Sequence, residues 1–178
     1  MKQLLKKFSL LLFDSAAQIR VAISLSRFIF NRLPVIGRSL SRILDQVIRV
    51  CFSMDVCSFS VDIKFLQVAH SVGCVLGGNG IFSKGTVIVM SGVVFGAKSF
   101  NDPELVLSQK SRRTFVLGDN VVLCSHVVLL GPLEICDNVV VGAGSIVTKS
   151  IIEPGVYAGV PAKKIGDNSS WLNAAKLL

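Results

Sequence analysis

No stretch of this 178-residue chain runs for eighteen uncharged apolar residues, which argues against a transmembrane helix. The start, MKQLLKKFSLLLFDSAAQ, imitates a signal peptide, but FSLLLF before Asp14 falls short of the roughly 7–15 residues such a segment needs, so secretion is not expected. CxxC spacing is missing too. The five cysteines, Cys51, Cys57, Cys74, Cys124 and Cys136, are odd in number and have no neighbouring histidine, so they read as reduced, mostly buried thiols of a cytosolic protein, with no metal site expected. Acidic side chains are few where basic ones gather. Residues 1–50 carry nine Lys or Arg against Asp14 and Asp45, whereas residues 51–178 carry ten against nine. All but one of the +8 excess therefore belongs to the N-terminal segment, and the rest offers no basic stripe for nucleic acid.

Glycine is nearly absent from the first third: only Gly37 precedes position 73, and the other fourteen fall between Gly73 and Gly166. That boundary separates two kinds of pattern. Before it the spacing is helical, with Ile36, Leu40, Ile43, Leu44, Val47 and Ile48 on one face and Arg38, Arg42, Asp45 and Arg49 elsewhere on the surface. An earlier helix, or two, is expected from Lys2 to about Phe30, separated from the later one by Pro34. The apolar face is expected to close the open end of the glycine-rich region, while the basic residues suit an added membrane-surface role.

The glycine-rich region is a repeat of six. From Phe115 to Ile151 a branched aliphatic residue returns at Leu117, Leu123, Leu129, Ile135, Val141 and Val147, and the fourth position after each is small or β-branched in all but Leu133. A period of six is neither helical nor that of a flat strand, so it must be its own architecture. Short strands joined by tight corners, three hexapeptides to a turn, would wind into a triangular prism with the aliphatic side chains stacked inside. The coil begins less regularly at Val61, with inward positions expected at Val68, Leu76, Phe82, Ile88 and Val94. The step of eight from Val68 to Leu76 pushes out VAHSVGCV, which carries His70. Residues 97–114, AKSFNDPELVLSQKSRRT, break the period and read as a loop extruded from one corner. The chain then divides into a basic helical segment, 1–54, the coil domain, 55–166, and a tail, 167–178, in which Trp171 packs down a short helix or irregular end.

Hexapeptides, His70 on an irregular step, a loop extruded in mid-coil and the ending AGVPAKKIG together resemble the hexapeptide-repeat acyltransferases, in the branch of serine O-acetyltransferase and the O-acetyltransferases of capsule and exopolysaccharide pathways. The resemblance spans about residues 50–166 and implies a left-handed parallel β-helix, hence an all-β fold with a short helical segment. It also implies acetyl-CoA as co-substrate and a cytoplasmic homotrimer with active sites between neighbouring coils. In that branch an acidic residue precedes the catalytic histidine by fifteen positions, which here matches Asp55 and His70. A hydroxyl is too weak an acid to attack a thioester unaided, so a neutral imidazole takes its proton while the carboxylate holds the tautomer. Asp62 competes for the partner's role. The matching positions put Gly96, Ser125 and Ala143 along the cofactor and Lys163, with Lys164 second, at a CoA phosphate. Arg112 and Arg113, at the end of the loop, are expected to meet the acceptor. His126 falls where the family has small residues and reads as a surface substitution.

Three departures bear on the acceptor. Ala69 stands where an acidic residue normally precedes the histidine, TFVLGDN replaces the histidine-proline after the loop, and the N-terminal helical domain is cut to about fifty residues. Losing a carboxylate that would meet an amino group favours a sugar hydroxyl, in surface polysaccharide biosynthesis, over free serine. Serine acetylation is the first alternative, and a non-catalytic coil acting as an assembly subunit is the second. Peripheral contact with the inner membrane face is the further expectation.

Overall fold

The computed structural model describes residues 15–33, 36–77, 80–97 and 114–167. Two helices, α1 (Ser15–Arg32) and α2 (Gly37–Phe52), precede β1 (Asp55–Val56) and a 3-10 turn (Ser58–Ser60). Twelve further strands follow among the described residues: β2 (Val61–Val68), β3 (Val75–Leu76), β4 (Ile81–Val89), β5 (Val94–Ala97), β6 (Phe115–Leu117), β7 (Val121–Leu123), β8 (Val128–Gly131), β9 (Leu133–Ile135), β10 (Val139–Val141), β11 (Ile146–Val147), β12 (Gly155–Ala158) and β13 (Lys163–Gly166).

These strands form the three faces of a left-handed parallel β-helix. One face is the five-stranded sheet β1-β3-β5-β8-β11. The second sheet wraps the other two faces, because β2 and β4 are long enough to turn the corner between them. The first part of β4 pairs with β6 and its last part with β7. Successive turns are parallel and eighteen residues apart in the regular part, with Val121 under Val139, Phe115 under Leu133 and Val128 under Ile146. The chain between Ala97 and Thr114 widens that interval, so Val94 pairs with Val128. At the far end β13 folds back antiparallel on β12, with all four of its residues exposed.

Every aliphatic position expected inside the later coils is buried, from Leu117 to Val147, and so are the members four residues on, such as Val121, Val127, Val139 and Ser145. The reason is local: two residues per short strand point inward, two apart, and a six-residue repeat returns both to the axis. Earlier, the phase differs from expectation. The inward positions are Ile81 and Ser83, Val87 and Val89, Val93 and Phe95, rather than Phe82, Ile88 and Val94; Phe82 and Val94 are half-exposed, although Ile88 is buried as well. Leu76 to Ser83 is a step of seven, so counting on by six from Leu76 falls one residue short. A register difference between Ile63 and Phe65, where Lys84 and Gly85 oppose Lys64, adds a further residue to that turn.

The helices cover the first turn of the coil, but not with the expected face. Ile19 and Ile23 of α1 and Ile48 of α2 join the core, together with Gly37, Ser41 and Asp45 among the buried residues of α2. Asp45, expected at the surface, is the hub. Its carboxylate accepts from the Ser26 hydroxyl at 3.0 Å, from the Ser58 hydroxyl at 2.5 Å and from the Ser58 backbone N–H at 3.2 Å, while the Ser26 and Ser41 hydroxyls meet at 2.9 Å. One buried charge thus joins both helices to the 3-10 turn, with its lone pairs satisfied. Gly37 is dictated by closeness, since a Cβ there would lie 2.5 Å from the Ile29 carbonyl oxygen. The stripe Ile36, Leu40, Ile43, Val47 and Val50 is left exposed.

Candidate active site

One edge of the prism carries His70, Ser125 and Ala143 of the expected site residues. It is the corner after the β2, β4, β7, β10 and β12 face, and it is crossed in succession by Val72-Gly73, Ser91-Gly92, Ser125-His126, Ala143-Gly144 and Gly159-Val160. Backbone bonds tie each crossing to the one before it: Gly73 N–H to Ser53, Gly92 N–H to Val72, His126 N–H to Ser91 and Gly144 N–H to Ser125, all near 2.9 Å. The second residue of each of these four crossings, Gly73, Gly92, His126 and Gly144, has φ between 61° and 73°, which explains the glycines. His126 adopts this conformation without being glycine, is exposed, and lays its ring over Gly92, where a Cβ would collide with its Nδ1.

His70 stands at the start of the first of these crossings and is exposed. Its step is anchored on both sides: the Ala69 N–H donates to Val89, the Ser71 hydroxyl to the Phe52 carbonyl at 2.9 Å, and the Cys74 thiol to the His70 carbonyl at 3.5 Å. The two extra residues therefore form a fixed protrusion. Ser125 and Ala143 lie farther along the same edge, by about 10 and 14 Å at roughly 4.8 Å per turn. Lys163 opens β13 just beyond the last crossing; it is exposed and has no ion pair among the described residues, whereas Lys164 is held by Glu153 at 3.4 Å and Asp167 at 3.7 Å. Ser91 belongs to the same column, its hydroxyl donating to that of Ser125 at 3.2 Å. The six-residue count does not single it out, although SGVV repeats the small-residue turn seen at Ala143.

Gly96 lies on the adjoining face, in β5 beside Leu130 and next to Ala97, where that described stretch ends. Among the described residues an added Cβ would touch only Leu130 Cδ2 at 3.5 Å and the Leu129 carbonyl oxygen at 4.0 Å, and its backbone is not left-handed. Both candidate carboxylates are engaged elsewhere, Asp55 with Arg49 and Asp62 with Arg27, each at 2.6 Å, and among the described residues neither bonds His70. Arg112 and Arg113 lie outside the described residues. The cavity of about 310 Å³ between α1 and β2, lined by Arg20, Arg27, Lys64 and Phe65 among others, includes none of the expected site residues. Among the described residues no three of His, Cys, Asp and Glu converge on a point where a metal could be held. Burial is the main cause that pushes the thiols of Cys57, Cys74, Cys124 and Cys136 above their usual 9.0, which leaves them poor nucleophiles.

This coil, with its interrupted turn and helical start, has the fold of the hexapeptide-repeat transferases. Within that class the chain is similar to serine acetyltransferases. It is 30% identical over 144 residues to the serine acetyltransferase of Buchnera aphidicola subsp. Schizaphis graminum, covering 81% of this chain and 51% of that protein. A 49-residue stretch is 53% identical to the galactoside O-acetyltransferase of Escherichia coli, 28% of this chain and 24% of that one. The crystal structure of serine acetyltransferase from Brucella abortus strain S19 in complex with coenzyme A superposes with a TM-score of 0.73 at 18% identity, over 87% of this chain and 57% of the other. The chain spans between 37% and 51% of the length of the curated serine acetyltransferases it matches. No family model matches it.

Proposed function

We propose that the protein is an acetyl-CoA-dependent O-acetyltransferase whose acceptor is the hydroxyl of serine. The observation that carries this reading is the alignment of His70, Ser125, Ala143 and Lys163 along one edge of the coil, in a chain similar over four-fifths of its length to a serine acetyltransferase. The sequence alone favours a sugar hydroxyl; similarity to serine acetyltransferases over most of the chain outweighs that argument.

His70 takes the proton of the attacking hydroxyl as the oxygen bonds to the thioester carbon. When the C–S bond breaks, the same proton goes to the departing thiolate, so no acyl-enzyme forms and the cysteines take no part. Asp55 orients the imidazole, exchanging its contact with Arg49 for one with His70. Small residues at Ser125 and Ala143 leave room along the edge for the pantetheine arm, and Gly96, open on that side among the described residues, does so on the neighbouring face. Lys163 meets a CoA phosphate as a mobile point charge, with Arg112 and Arg113 assigned to the acceptor. The protein acts in the cytoplasm as a homotrimer, and a neighbouring coil completes a site that a single exposed edge leaves open.

A sugar acceptor is the second reading, favoured by Ala69 in place of a carboxylate and by the local match to a galactoside O-acetyltransferase. Release of thiol from acetyl-CoA separates the readings, run with serine and with a panel of nucleotide sugars and oligosaccharides. Serine-dependent release that vanishes in His70→Ala is the expected result. Release with a sugar alone transfers the assignment to the second reading, and silence with every acceptor overturns both in favour of a non-catalytic coil.

A further inference from the structure

We infer that the outer side of the helical pair is a docking surface for an anionic lipid bilayer. Large exposed apolar residues on a protein of this size are usually scattered, and here they are concentrated. From Ile36, which precedes α2, Leu40, Ile43, Val47 and Val50 of the helix follow at intervals of four and three, and Ile36, Ile43 and Val50 are 69%, 59% and 80% exposed. At about 100° per residue they occupy a single narrow arc. The buried set Gly37, Ser41, Asp45 and Ile48 lies on the other side of the helix, locked by the Asp45 network. The helix therefore cannot roll to bury its apolar stripe without leaving that carboxylate unpaired. In α1, Val21, Leu25 and Phe28 repeat the same spacing and are exposed, opposite the buried Ile19 and Ile23. Leu33, between the two helices, is exposed as well.

Charge decides the occupant. The two helices carry Arg20, Arg27, Arg32, Arg38, Arg42 and Arg49, and their one carboxylate within the described residues, Asp45, is buried. Asp62 and Asp55 neutralise Arg27 and Arg49 from the coil, which leaves Arg20, Arg32, Arg38 and Arg42 without an ion pair among the described residues. The positions flanking the stripe, Ser39, Gln46, Leu44 and Cys51, hold no charge that could select a partner helix. An anionic bilayer accepts both features at once. Apolar side chains enter the boundary of the acyl region while arginines, whose long stems reach around the helix, meet phosphate headgroups. This surface is independent of the acceptor and of His70.

The test is co-sedimentation of the full-length protein with vesicles of phosphatidylcholine alone and of phosphatidylcholine containing about 30% phosphatidylserine, without acetyl-CoA. Binding to the anionic vesicles alone, falling as salt is raised, is the expected result. Ile43→Glu with Val47→Glu should lower the partition at least tenfold. Arg38→Gln with Arg42→Gln should lower it by up to about twenty-fivefold, at roughly fivefold per arginine near an anionic surface. All four positions are exposed, and unchanged circular dichroism verifies that the variants fold. Equal partition to both vesicle types, or no partition, overturns the inference. So does an oligomer that the Ile43→Glu, Val47→Glu variant dissociates while vesicle binding is absent, since the occupant would then be a second copy.

Discussion

The coil after Phe115 and the chain before Ala97 are built from the same kinds of residue and solve different problems. In the later turns each hexapeptide repeats its predecessor, so every inward aliphatic finds a similar neighbour one turn away and no step departs from six. In the earlier half the steps from Val56 through Ile63, Val68 and Leu76 to Ser83 run seven, five, eight and seven. Two of these departures place something: the turn at Ser58 that receives Asp45, and the protrusion that presents His70. Regularity yields a rigid ruler, and chemistry is mounted where the ruler is interrupted.

The contrast is broken most strongly at His70. Replacing it by alanine should lower thiol release about 10²–10⁴-fold while leaving the melting transition in place, and a smaller loss would deny the irregular step any privileged role. Leu129→Ala, deep in the regular stack, should do the reverse: a loss of about 2–5 kcal/mol in denaturant unfolding, with activity per folded molecule preserved. Asp45→Ala should cost about 2 kcal/mol and loosen the helices first, because the Ser58 hydroxyl and backbone N–H lose their buried acceptor while Ser26 keeps only Ser41; exchange of α1 and α2 amides with deuterium would register it. A gentler loss is expected with alkali. The buried thiols sit above 9.0 in the folded state and near it when unfolded, so their contribution is complete below about pH 9 and disappears as pH rises through the folded values; thermal melts between about pH 8 and 10.5 would follow it. Smallest of all, Ile43→Gln should stay within about 0.5 kcal/mol of the parent, although its spacing makes it look as buried as Leu129.

That last pair marks what the sequence could and could not convey. The six-residue period identifies the inward residues from Leu117 to Val147 because each prediction is repeated by its neighbours. From Leu76 onward one extra residue is enough to rotate the count, so Phe82 and Val94 are expected inside where Ser83 and Phe95 are found. Helical spacing in α2 announces an apolar face without saying toward what. Core packing would ordinarily claim it, but Gly37, Ser41 and Asp45 make close approach and hydrogen bonds on another face that hydrophobic periodicity does not register. For the site, the edge that links His70 to Ser125 and Ala143 can be reached by counting turns. The arginine partners of Asp55 and Asp62 cannot, because they come from helices that lie outside the repeat.

The reversal of β13 bears on a hazard that every stack of parallel strands shares. A last turn with an unpaired edge is a template on which a further chain could lay its own strand, and repetition of that event makes a fibre. Here the final parallel strand, β12, is already paired on that side by β13 running the opposite way, with Lys163 and Lys164 in the covering strand. At the other end the two helices stand over the first turn. Growth by end-to-end addition is thereby discouraged at both ends of the coil, and association is steered toward its flanks.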